Sequence, residues 1–196
     1  MQTKQRQRMS TETLVLGAIL TALVVVLQLV GSFIKFGMFS ISLVLIPIVI
    51  GASVGGAKLG AWLGGVFGVV VLLSGDAATF LAINVPGTII TVMVKGIACG
   101  AVAGWVYTWL AKYQKDAAVI LTALACPVVN TGVFLLGCLV FFFDSVSEWA
   151  SAGGESFLTY LILVMVGANF VFEVAFNMLL SPVISRLLAL RSKLSK

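Results

Sequence analysis

Three polar residues stand four apart inside an apolar run, Asn169, Glu173 and Asn177 in the stretch NFVFEVAFN. On a helix that spacing puts all three on one face. Lys95 lies inside a second apolar run, about 10 Å from its start at 1.5 Å per residue. Asn130 lies in a third, within CPVVNTGVFLLG, where Pro127 frees a backbone carbonyl and Thr131 adds a hydroxyl. An ionised side chain in lipid costs on the order of 3 kcal/mol on insertion scales, so each needs a partner or a water-filled cavity. A Lys95–Glu173 pair is the simplest solution. The other is a polar pocket for a charged solute. A single buried amide is ordinary helix glue, but four polar groups on two runs and a lysine on another exceed what glue requires. Phe134, Phe170, Phe172, Phe176 and Trp149 stand near enough in sequence to stack on a ring.

The runs that carry these residues are membrane spans. The chain has 196 residues, 61% of them hydrophobic and 10% charged, with a mean hydropathy of +1.17. A soluble domain has about 25% charged residues. A span takes about 20 apolar residues, and six candidates appear: 13–30, 41–54, 59–73, 88–110, 117–143 and 157–190. The second and third are short and separated only by GASVGGAK; they read as two short tilted helices, or as one re-entrant hairpin. The first run is too long for a signal sequence and is expected to stay as a span. The expected fold is all-α, a single six-helix transmembrane domain over 1–196, with a polar segment at 1–12.

Orientation follows from Lys and Arg in the loops. With the N-terminus in the cytoplasm, Lys4, Arg6, Arg8, Lys58, Lys112, Lys115, Arg186, Arg191, Lys193 and Lys196 are inside and Lys35 alone is outside. Both termini are therefore expected in the cytoplasm. The outer loops, 31–40, 74–87 and 144–156, carry Asp76, Asp144, Glu148 and Glu155. The second also holds Asn84 and Pro86-Gly87, and its turn residues suit a lid that dips back toward the membrane.

Two sets of small residues mark packing faces. Ala18 and Ala22, with Gly17 and Thr21 beside them, let another helix approach the first span; Gly60, Gly64 and Gly68 do so on the third. Either face can pack within this chain or on a partner.

Several chemistries are excluded. GGAKLG has neither the spacing nor the hydroxyl of a P-loop, so the chain does not hydrolyse ATP that way. Without histidine it lacks the usual metal ligand and general base. Cys99, Cys126 and Cys138 stand apart in apolar runs and read as small buried residues. No enzyme activity, cofactor or metal is expected.

The ordered motifs resemble the substrate-binding S components of energy-coupling factor (ECF) vitamin transporters. The similarity runs through Ala18/Ala22, SLVLIPIVIGASVGGAKLGAWLGGVFG (42–68), FLAINVPGT (80–88), VVNTGVFLLG (128–137) and NFVFEVAFNMLLSPVI (169–184). It is nearest the pantothenate, folate and riboflavin branch. The resemblance implies a vitamin pocket facing outside and closed by the first and third outer loops. It implies docking through Ala18 and Ala22 onto a transmembrane coupling subunit (T component) powered by two ATPase subunits. The S component would topple in the bilayer, with the smooth small-residue face as the one it rides on. Substrate-binding candidates on this basis are Asn84, Lys95, Asn130, Asn169, Glu173 and Asn177. A cation in the site suits the carboxylate of pantothenate, while the phenylalanines suit riboflavin. Two other readings stay open: a non-transporting structural membrane protein of the same fold, and a self-sufficient proton-coupled carrier with Glu173 as the titrating group.

Overall fold

The computed structural model describes residues 11–33, 35–36, 39–40 and 42–194. Lys4, Arg6, Arg8 and Lys196 lie outside them, as does much of the first outer loop.

The apolar runs form long helices because a backbone in lipid must satisfy its own polar groups. These are α1 (Thr11–Gly31), α2 (Leu45–Leu73), α4 (Val85–Leu110), α5 (Lys115–Phe141) and α8 (Ala168–Leu194). Hydroxyls inside them bond back one turn, as Thr21 does to Gly17 O at 2.8 Å and Thr122 to Ala118 O at 2.6 Å. Among the described residues, five helices are long and apolar enough to cross a membrane. A sixth span results if Phe143–Ala152 and Phe157–Gly167, bent by 98°, count as one. The runs at 88–110 and 117–143 correspond closely to α4 and α5. The run at 157–190 does not stay one helix: it divides into α7 (Phe157–Thr159), a π-helical stretch (Tyr160–Gly167) and α8.

The connections expected on the outside hold more structure than loops. Lys35–Phe36 (β1) and Phe39–Ser40 (β2) pair antiparallel. A short helix, α3 (Ala78–Ile83), occupies the second connection. The third is helical over α6 (Phe143–Ala152), with Val146 and Ala150 buried on one face.

The two short runs at 41–54 and 59–73 join in α2, which breaks at Gly56 (φ 66, ψ −161). Eight residues of straight helix span about 12 Å, yet a Cβ on Gly60 would stand 3.1 Å from that of Ala52. Leu63 likewise lies against Gly51. The two arms therefore fold back on each other. This backbone region is essentially restricted to glycine and costs any other residue about 1–3 kcal/mol. The nearest side-chain atom, Thr108 Cγ2, is 3.5 Å from the Cβ position, so space is not the obstacle. Gly56→Ala is expected to lower unfolding stability by about 1–3 kcal/mol from backbone strain alone, read as a lower melting temperature in detergent. An unchanged melt would show that the turn does not need this conformation.

The glycine face of α2 packs inside the molecule. Cβ atoms on Gly60 and Gly64 would fall on the backbone carbonyls of Gly100 and Gly96 in α4, and Gly104 lies against the backbone of Gly56 and Ala57. Six glycines thus let two backbones touch, a close approach that favours Cα–H···O contacts. This corrects the expectation that the smooth face is one the protein rides on: α4 already covers it. α4 is held between α2 and α5, α1 packs on α2, and α8 packs on α5.

On α1 the two small-residue pairs separate. Gly17 is buried, with Leu59 Cδ1 3.2 Å from its Cβ position, and Trp62 Nε1 donates to Thr21 Oγ1 at 3.1 Å. Ala18 and Ala22 point outward, among the exposed Leu14, Val15, Ile19, Leu23 and Val26.

Candidate functional site

A cavity of about 80 Å³ lies between α1, α2, α4, α5 and α8, toward the ends where α3 and α6 cross. The polar side chains reaching it are Gln28, Ser42, Asp76, Thr88, Thr91, Lys95, Asn130, Thr131, Asn169 and Glu173. Its apolar wall includes Phe67, Phe80, Phe134, Phe142 and Phe170. Helix α4 supplies Lys95 from its third turn. α5 supplies Asn130 just past Pro127, and α8 supplies Asn169 and Glu173 one turn apart.

Glu173 is 2% exposed. Its Oε1 accepts from Asn169 Nδ2 at 3.2 Å. Ser42 and Asn130 lie beside the carboxylate, yet Oε2 accepts no hydrogen bond. The Oδ1 atoms of Asn130 and Asn169 and the Thr91 hydroxyl are also buried without a partner. Such groups are uncommon in a folded protein, because each carries the cost of lost hydration. Four of these atoms belong to residues that line the cavity; a fifth, Asn177 Oδ1, belongs to a residue that does not.

Lys95 does not pair with Glu173 directly. Its Nζ stands over two rings, 5.5 Å from the Phe67 centroid and 5.7 Å from that of Phe134. A cation there draws on the negative faces of the rings. The opposed charges share one cavity.

Two other candidates stand elsewhere. Asn84 Oδ1 accepts from Gly87 N at 3.0 Å and caps the start of α4, ahead of Pro86. Asn177 is buried one turn beyond Glu173 and donates to its backbone oxygen at 2.8 Å; neither residue lines the cavity. Among the aromatics, Phe134 and Phe170 line it, whereas Phe172 and Phe176 stack on one another at 5.6 Å. Trp149 meets Phe80 edge-on at 6.1 Å, and Phe80 also meets Phe134 and Phe142, at 5.7 and 4.9 Å. These rings roof the cavity at the end where α3 lies.

Gln28 is a further polar side chain of the cavity, one the sequence does not set apart. It is 3% exposed, and its Nε2 donates to Asp76 Oδ2 at 2.6 Å. That contact ties the end of α1 to the turn after α2. An amide inside an apolar run was the available signal.

The family model described as ECF transporter, substrate-specific component, matches residues 12–185. The chain belongs to that family. Membership makes it a substrate-specific transporter subunit, a multi-pass membrane protein rather than an enzyme, and implies work with T and ATPase components on a small-molecule substrate. No curated protein and no solved structure matches the chain. The three cysteines are buried and free, and Cys99 Sγ stands 3.1 Å from Gly96 O.

Proposed function

We propose that this subunit captures a small water-soluble vitamin or related micronutrient from outside the cell in the cavity between α4, α5 and α8. A T component and two ATPases then drive its delivery to the cytoplasm. The observation that carries this reading is the single cavity holding Lys95, Glu173 and two bare amide oxygens at membrane depth. Pantothenate heads the candidates, with its carboxylate against Lys95; riboflavin follows, with its ring between the phenylalanines. The excess of Lys and Arg on one side supports cytoplasmic termini, and the cavity then lies toward the outside. The outward Ala18–Ala22 face of α1 suits the coupling subunit, since none of the described residues covers it.

The test is ligand-dependent melting of the purified protein in detergent, with pantothenate, riboflavin, folate and other vitamins. A ligand at 100 times its Kd adds about 2.7 kcal/mol to the folded state. One vitamin should raise the melting temperature, and Asn130→Ala or Glu173→Gln should remove the rise. In vesicles, uptake should require the ATPase module. Uptake by this chain alone, driven by a pH gradient, would replace the reading with a proton-coupled carrier.

A further inference from the structure

The orphaned atoms of the cavity have a chemical sign. Asn130 Oδ1, Asn169 Oδ1 and Glu173 Oε2 are all oxygens without a hydrogen-bond partner. Their orientation is set locally. Asn169 turns its Nδ2 toward Glu173, and Asn130 also lies beside that carboxylate. Turning either amide over would set its oxygen against another oxygen, so an Oδ1 directed away from the carboxylate is the stable arrangement. Asn130 and Glu173 are 4% and 2% exposed, too buried for bulk water to serve them. The Thr91 hydroxyl adds a fourth group that can serve either way. On this wall the buried atoms left without a partner are acceptor oxygens, beside the Thr131 hydroxyl that also lines the cavity.

We propose that the solute meets α5 and α8 with a head of adjacent N–H donors, neutral or cationic, of the kind an amino-heterocycle or an amidine carries. The flat head fits the walls. Phe134 and Phe170 come from the same two helices as the oxygens, and Phe67 and Phe80 line the same cavity. Lys95 takes the acceptor end of the solute. The inference rests on the transporter-subunit reading and narrows it: a ring bearing paired N–H groups ranks above a solute recognised chiefly by its carboxylate, and so above pantothenate.

Fragments test this on the unmodified protein. Melting in detergent is followed with millimolar 4-aminopyrimidine, benzamidine and benzoate, alongside the vitamin panel. The two N–H donors should raise the melting temperature and benzoate should not. Asn130→Ala and Asn169→Ala should each weaken 4-aminopyrimidine about tenfold, near the worth of one hydrogen bond. The ranking of fragments decides even where a variant fails to fold. Stabilisation by benzoate and not by the donors, lost in Lys95→Met, overturns the donor head and leaves the transporter reading standing. If no fragment and no vitamin stabilises the protein, both readings fall.

Discussion

Gly64→Val should not yield a folded protein in detergent. A Cβ at this position lands on the carbonyl oxygen of Gly96, and the reciprocal contact from Gly96 meets Gly64 O. Neither atom can move without its helix, so the α2–α4 seam must part. Ordinary overpacking costs about 1–3 kcal/mol. Here the obstacle is backbone rather than a side chain that can swing away, so more than about 3 kcal/mol is expected, at or beyond the top of that range. The control is one residue along. A Cβ on Gly65 would meet Ile97 Cγ1 at 3.6 Å, an ordinary contact. Gly65→Ala should therefore be neutral or gain up to about 1 kcal/mol from helix propensity. Size-exclusion profiles and melting curves of the two variants check this. A monodisperse, normally melting Gly64→Val protein would mean that the glycine seam is not what holds α2 to α4.

The second large effect concerns the two buried charges. Lys95→Met leaves the carboxylate of Glu173 without its counter-charge, and Glu173→Gln leaves the Lys95 ammonium. Breaking a buried pair in contact costs about 3–5 kcal/mol. These two groups are not in contact, so about 2 kcal/mol for each single variant is the expectation, from the same balance of desolvation and attraction. The double variant should recover part of the loss, with a coupling of about 1–2 kcal/mol. Ligand-dependent stabilisation should be absent from all three proteins. That split between stability and binding separates a solute pocket from a structural pair. A double variant that binds the vitamin as well as the parent would assign the charges a structural role only.

Much of the helical frame was legible because lipid imposes a simple rule: long apolar runs without charge. α1 and α5 follow it beyond their first turns, and α4 follows it but for Lys95. The turn at Gly56 was marked by GASVGG, although only the fold shows that the arms close on each other. The stretch 144–156 reads as a loop from its Ser, Gly and acidic residues, yet Val146 and Ala150, four apart, are the buried stripe of α6. The π-helical winding of Tyr160–Gly167 has no local signature, since its residues are as apolar as any span. Lys95, Asn130, Asn169 and Glu173 stood out as costly groups in lipid, and the fold brings them to one cavity. Gln28 obeys the same rule but does not stand out amid a strongly apolar run. Asn84 looks like a lid residue because it precedes a Pro-Gly turn, but that position is also where a helix needs a cap, and the cap is the bond it makes. Phe80 and Phe142 carry no such mark; an aromatic acquires a place in a cavity roof only through tertiary packing.

The glycine seam also divides the molecule mechanically. With carbonyls of one helix resting on α-carbons of the other, α2 and α4 behave as a single stiff post, and α5 leans on it through Gly137 against Thr91. The bent α6–α7 corner and the Gln28–Asp76 hydrogen bond stand outside that seam, so an opening that spares the post is expected at these parts of the chain.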